Sequence, residues 1–229
     1  MRDRNGRALV PRKYKLPWIP SDQQWQVFLD ALQEESLRNR VMVLLAYEGA
    51  IRSNELLSLK IGDFDELFHM VTIRAKTTMS LQRRIIGYPA YLDTMLIKYM
   101  DQQRGLAGEH DLLFISGSPR HLEQPLSYIQ WAAIVKRIAH RAGTPLFKTG
   151  TFRHLHLAHM ARAGVPLVNI VDFAGYRNAR SAMLYVELKM GEELAAIGQE
   201  ILHKARLRGS VLRREPPSRK VDKCGTVFV

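Results

Sequence analysis

Cysteine is almost missing. Cys224 is the only one in 229 residues, which excludes disulfide staples within the chain and four-cysteine zinc sites and suits a reducing cytoplasm. Acidic residues are the scarcer sign: 22 Asp and Glu stand against 34 Lys and Arg, giving +12 and a pI near 10.0. That balance favours a polyanionic partner, either nucleic acid or an anionic membrane surface. The membrane reading fails for want of a long apolar run, since the stretch from Val41 to Tyr47 is too short to span and Glu48 ends it. The N-terminal MRDRNGRALVPRKYK has basic residues with no apolar core behind them, which reads against a secretion signal. No Gly-x-x-x-x-Gly-Lys-Ser loop occurs, so ATP-driven chemistry is not expected. There is no internal repeat or low-complexity tract.

What is present is ordinary globular composition, 46% hydrophobic and 24% charged, enough for one domain with tails. Residues 1–20 are basic, hold Pro11, Pro17 and Pro20, and read as an extended segment or linker. Ser21 with Gln24 makes a capping-box pattern ahead of the apolar face Trp25, Phe28, Leu29 and Leu32. Further helices are predicted at Leu37 to Tyr47, from near Arg52, and at about 90–104, 126–142, 151–163, 166–174, 178–188 and 191–205. Met70 to Ala75 alternates like a strand and Arg84 to Tyr88 can pair with it, leaving Lys76 to Gln82 as the connecting turn. The predicted class is mainly α with a small antiparallel β-sheet (α+β), with a catalytic domain at 21–205. From Arg206 the basic residues cluster and Pro216-Pro217 breaks any helix, so 206–229 reads as a mobile basic tail.

Arg153 and Tyr185, joined by a helical stretch, carry the chemistry. A tyrosine attacks a phosphodiester only if positive groups neutralise the charge building on the phosphoryl oxygens, and a planar guanidinium can hold two of those oxygens at once. Arg52, in YEGAIRSNELLSLKIGDFD after the apolar helix VMVLLAYEGA, is the best candidate for a second clamp. Read individually, either arginine could instead be a buried partner of Glu55 or Asp172, and Tyr185, flanked by Leu184 and Leu188, could be a core residue. His154, His156 and His159 invite a metal reading, but no carboxylate or cysteine follows at ligand spacing.

The stretch GAIRSNELLSLKIGDFD, the strand-and-turn VTIRAKT, the pair Arg153-His154, the helix-end Gly164, Gly175 and Tyr185 together resemble the tyrosine recombinase or phage integrase family. The gaps of 24 from Arg52 to Lys76 and 32 from Arg153 to Tyr185 fit its layout, and the resemblance covers roughly residues 20–190. It implies a recombinase catalytic-domain fold of the DNA breaking-rejoining type and site-specific cleavage and rejoining of duplex DNA, as in integration of mobile elements. Tyr185 would be the nucleophile forming a 3′-phosphotyrosyl link, Arg52 and Arg153 would bind the scissile phosphate, and Lys76 would protonate the leaving 5′ oxygen. Tyr176 stands where the family usually has His or Trp and would donate a hydrogen bond to phosphate. Glu55 and His154 would orient these groups from behind, and Arg83 and Arg84 would contact the DNA backbone. No metal or cofactor is implied. The implied partners are double-stranded DNA and three further copies in a homotetramer, with helix 191–205 as the candidate docking element, in a nucleoid-associated cytoplasmic setting.

Two positions depart from the family. The second box usually reads His-x-x-Arg, yet Gly150 stands three residues before Arg153, and Tyr176 replaces the usual His or Trp. The family's separate N-terminal DNA-gripping domain has no room in this chain, which is expected to be a catalytic-domain fragment or a naturally short protein. The rival readings are a degenerate integrase that binds DNA without cutting it, and a type IB topoisomerase.

Overall fold

Ser21 caps the first helix as its spacing predicts: its hydroxyl accepts from the Gln24 N–H at 3.2 Å, and the Gln24 side chain accepts from the Ser21 N–H at 2.9 Å. The computed structural model describes residues 17–78, 82–104, 111–117 and 124–212. The helices are α1 (Asp22–Leu32), α2 (Leu37–Glu48), α3 (Ser53–Leu57), α4 (Ala90–Arg104), α5 (Tyr128–Arg141), α6 (Thr151–Arg162), α7 (Leu167–Ala174) and α8 (Arg180–Leu212). The chain divides into two compact units, Met1–Glu187 and Leu188–Val229. Described residues of the second unit belong to α8. Residues 1–16 and 213–229, which hold most of the expected linker and tail, lie outside the described residues.

The sheet is antiparallel with strand order β1 (Phe64–Asp65), β2 (Met70–Ile73), β3 (Arg84–Gly87). β2 and β3 pair as read from the alternation, with Val71 opposite Ile86 and Ile73 opposite Arg84, while the two-residue β1 is an addition too short to announce itself by period. Residues 178–188 and 191–205, expected as separate helices, are parts of the one helix α8, which runs on to Leu212. Gly191 and Gly198 cost about 1 kcal/mol each relative to alanine, less than the strong helix formers around them supply, and no proline interrupts the run.

The fold places α6 between two apolar clusters. Phe152 and Leu155 belong to the larger one, where Phe28 and Phe147 stack at 4.3 Å between ring centroids and Trp25 and Trp131 pack close by. Leu157, Ala158 and Ala161 belong to the smaller one, with Ile170, Ala174, Ala182 and Tyr185. A helix enclosed on several sides cannot keep one polar stripe, so on α6 Arg153 is buried and His154 and His156 are half-buried. Its C-terminus turns at Gly164 and α7 ends at Gly175, both left-handed (φ +82° and +62°), a conformation glycine adopts without the Cβ penalty.

Candidate active site

The turn between α2 and α3 sets the first arginine. Ala50 takes φ +43°, uncommon for a residue with a side chain, and is fully buried, so the surrounding packing holds a strained corner there. Arg52 follows as the N-cap of α3. Its N–H donates to Glu55 Oε2 at 3.0 Å and its Nη1 to Oε1 at 3.1 Å. Glu55 is 1% exposed and also receives both Nη atoms of Arg84, at 3.0 and 2.6 Å. Burial alone would raise the Glu55 carboxyl; the hydrogen bonds from Arg84 and the charges of Arg84 and Arg52 outweigh it and hold the group below the usual carboxylate range. Two guanidinium groups thus share one carboxylate, which leaves the cluster cationic.

Arg153, on the first turn of α6, is 6% exposed. Its Nη1 donates to the strained Ala50 carbonyl and its Nη2 to the Ala174 carbonyl at 2.7 Å. No carboxylate pairs with it among the described contacts, so its charge is oriented by neutral dipoles and not cancelled. Burial, with the charges of Arg52 and Arg84, lowers its pKa, while the Tyr176 hydroxyl works the other way. The Tyr176 ring lies 4.8 Å from the Arg153 guanidinium carbon and 5.6 Å from that of Arg52, inside cation–π range of both. Gly175 aims it there: as the left-handed cap of α7 it turns the chain so that the Tyr176 N–H bonds back to Val171 at 3.0 Å.

Tyr185, in the first turns of α8, is 1% exposed. Its hydroxyl lies 2.8 Å from His154 Nδ1 and 3.3 Å from the Tyr176 hydroxyl. Burial, reinforced by Tyr176, raises its pKa, against a smaller lowering by Arg153 and Arg52. A pocket of about 650 Å³ opens beside these groups, lined by Arg52, Arg153, His154 and Tyr176 together with Trp18, Tyr128, Lys148 and Gly150. The cations and the Tyr176 hydroxyl make it a seat for a phosphate-sized anion. Tyr185 is not among its lining residues; Tyr176 links the two.

Of the predicted residues, Arg52, Arg153, Tyr176, Tyr185, Glu55 and His154 are brought together. Lys76 is not. It is exposed in the short 3₁₀ turn Ala75–Thr77 after β2, and no described contact joins it to the pocket. Arg83 is exposed, as a backbone contact requires, but Arg84 is turned inward onto Glu55 with a side chain 8% exposed, so it is not presented to DNA. Strand period could have found this, because Arg84 shares a face with Ile86, 1% exposed, while Ile85 points out. Trp18 and Tyr128 were not anticipated, and no spacing rule would have named them. The other α6 histidines go elsewhere. His156 stacks on Phe173 and burial lowers its pKa to about 4, whereas His159 Nδ1 meets the Tyr47 hydroxyl at 2.8 Å. Among the described residues no three His, Cys, Asp or Glu gather as metal ligands, and no helix is long and apolar enough to cross a membrane.

The family model described as the phage integrase family matches residues 20–192. Transposase A from transposon Tn554 of Staphylococcus aureus is 25% identical over 200 residues, which cover 81% of this chain and 52% of that protein. Tyrosine recombinase XerC of Herpetosiphon aurantiacus is 25% identical over 170 residues, 73% of this chain and 53% of the relative. The chain thus spans about half the length of these relatives. Among solved structures, XerH site-specific recombinase in its post-cleavage complex with a palindromic difH substrate aligns with a TM-score of 0.69 and 20% identity, over 86% of this chain and 62% of that one. The XerA recombinase aligns with a TM-score of 0.64 and 20% identity, over 78% and 61%. These likenesses establish the fold.

Proposed function

Because the chain belongs to the phage integrase family, we propose that it is the catalytic part of a site-specific recombinase that cleaves and rejoins duplex DNA through a 3′-phosphotyrosyl link on Tyr185. One observation carries this reading: two guanidinium groups, the half-buried Arg52 and the buried Arg153, face one pocket across the Tyr176 ring, and the Tyr176 hydroxyl touches that of Tyr185. The arginines hold the non-bridging oxygens and Tyr176 donates to one of them. Tyr185 attacks phosphorus, and the departing 5′ oxygen takes its proton from Lys76. Phosphate displaces the Tyr176 ring from the guanidinium faces, and the start of α8 shifts to bring the Tyr185 hydroxyl from 1% exposure into the pocket. The bond energy kept in the phosphotyrosine then serves rejoining, so neither nucleotide hydrolysis nor a metal is called for.

The net charge of +12 and the exposure of Arg83 support duplex DNA as substrate, with Arg83 proposed as a backbone contact. A homotetramer is part of the proposal. Met190, Leu194, Ile197 and Ile201 are all more than half exposed and follow one another at helical spacings of four, three and four, an apolar stripe on α8 suited to another copy. The site of action would be the cytoplasm, on the nucleoid. The test is a nicked suicide duplex whose 5′ product diffuses away. Wild type is expected to form a covalent complex and Tyr185→Phe none. DNA binding without any covalent product would instead establish the non-enzymatic reading.

A further inference from the structure

Gly150 leaves a hole in the proton bookkeeping of this site. The position has no side chain to receive the phenolic proton when Tyr185 attacks, and a Cβ placed there would meet nothing within 4 Å. The Tyr185 hydroxyl nevertheless has a nitrogen in reach, since His154 Nδ1 lies 2.8 Å away, inside the range expected of a general base and its proton donor. We propose that His154 is a catalytic residue of this chain, the proton acceptor for Tyr185, and that it carries the role left vacant at Gly150.

For His154 to accept, the three groups take one direction: Tyr176 donates its hydroxyl hydrogen to the Tyr185 oxygen, and Tyr185 donates its own to His154 Nδ1, with the imidazole proton on Nε2, an order that both distances allow. Each oxygen in this chain gives one hydrogen, and no donor is left facing a donor. Burial, and behind it the Arg153 charge, lowers the His154 pKa below the ordinary 6.5, so the ring is neutral and able to accept at working pH. His154 also lines the pocket, next to Arg153 on the same turn of α6, so the proton acceptor and one guanidinium of the phosphate clamp share one rigid element.

The inference rests on the phosphotyrosine reading above. In the step, the Tyr185 O–H bond breaks and its proton goes to His154 Nδ1 while the oxygen lone pair forms the bond to phosphorus. The phosphorus–oxygen bond to the 5′ side breaks, and its electron pair leaves on the 5′ oxygen, which is protonated by the general acid. In rejoining, the imidazolium returns the same proton to the departing phenolate.

The experiment measures covalent-complex formation on a nicked suicide duplex bearing a 5′-bridging phosphorothioate, at subsaturating DNA across a pH series. The thiolate leaves without protonation, so the acid is taken out of the rate and the base remains. Wild type should lose rate as pH falls below the ordinary imidazole range. His154→Asn places an amide oxygen near the position of Nδ1, keeping a hydrogen bond to Tyr185 while unable to take its proton. It should bind DNA as wild type does, cleave about 10² to 10⁴ more slowly and lack that acidic limb. Adding Gly150→His to His154→Asn should restore part of the rate, because the open space at Gly150 accepts the side chain. The inference is overturned if His154→Asn cleaves at the wild-type rate with the limb intact, or if it loses DNA binding in step with cleavage. Absence of any covalent complex from wild type on this substrate would bring down the phosphotyrosine reading itself, and the role of His154 with it.

Discussion

Arg84 lies against Gly175. A Cβ at Gly175 would come 3.1 Å from Arg84 Cδ and 3.2 Å from its Nη1, and the glycine holds φ +62°. Arg84 cannot easily yield, because both of its Nη atoms are bonded to Glu55. One side chain therefore ties three parts of the site: strand β3, the carboxylate behind Arg52, and the turn that presents Tyr176.

Gly175→Ala should destabilise the protein by about 2–4 kcal/mol, summing the left-handed backbone penalty with overpacking against Arg84. Urea midpoints measure it. Arg84→Ala removes the side chain that the new methyl would strike, so the double variant should cost clearly less than the sum of the singles. Additive penalties would show that Gly175 is required by its backbone angle alone.

Acid sensitivity follows from two carboxylates. Burial alone would raise the Glu35 carboxyl, but hydrogen bonds from Arg137, Asn39 and Arg141 take it from 4.5 down to about 2. Glu55 is lowered for similar reasons by Arg84 and Arg52. A folded pKa below the unfolded one means that the unfolded chain binds the proton first as pH drops. The stabilisation is thus complete above pH 4.5 and is lost progressively toward about pH 2. Glu35→Gln should lower the urea midpoint at pH 7 and lose less than wild type between pH 5 and about pH 3. An acid limb of wild-type steepness would rule out Glu35 as its source.

Local rules made most of the fold legible. The Ser21 capping box and the β2–β3 alternation each depend on residues a few positions apart, and each is found where it was read. What local rules could not give was decided by partners far along the chain. Arg84 is inward because Glu55, 29 residues earlier, has room for two guanidinium groups. His154 meets Tyr185 because α6 and the start of α8 share the smaller apolar cluster, a packing fact without a sequence signature. Lys76 was placed by register with a family motif, and register fixes the strand but not the reach of the turn that follows it.

Affinity for duplex DNA should fall steeply with salt. Each phosphate neutralised by Lys or Arg contributes roughly −0.9 to the slope of log K against log salt, so even about five contacts would cost more than 100-fold between 50 and 200 mM. The +12 charge is ample for that number. Fluorescence anisotropy on an arbitrary duplex and on a matched target would separate the salt-dependent, sequence-tolerant term from base readout. A flat dependence on both duplexes would mean that the basic surface serves another partner.

Tyr176 and Gly150, the two positions at which the chain leaves its family's pattern, should respond in opposite directions. Tyr176→Phe keeps the ring against Arg52 and Arg153 but removes the hydroxyl that meets Tyr185 at 3.3 Å. Loss of the one hydrogen bond this hydroxyl donates, to phosphate once DNA is bound, is worth about 1 kcal/mol, so covalent-complex formation at subsaturating DNA should slow about fivefold. Gly150→His adds an imidazole beside the clamp, in space where its Cβ meets nothing within 4 Å, and should raise the rate only slightly while His154 is there to accept the phenolic proton. If the clamp provides most of the transition-state stabilisation, that gain stays small beside the loss on replacing Arg153, because positioned charge outweighs one proton-transfer group in a water-poor site. Arg153→Lys is the decisive comparison. An ammonium keeps the charge but cannot bond the carbonyls of Ala50 and Ala174 in the same planar fork and still face phosphate, so Arg153→Lys should lose at least about 100-fold in rate. A lysine variant that cleaves as wild type does would show that charge alone, without the oriented guanidinium, sustains the reaction.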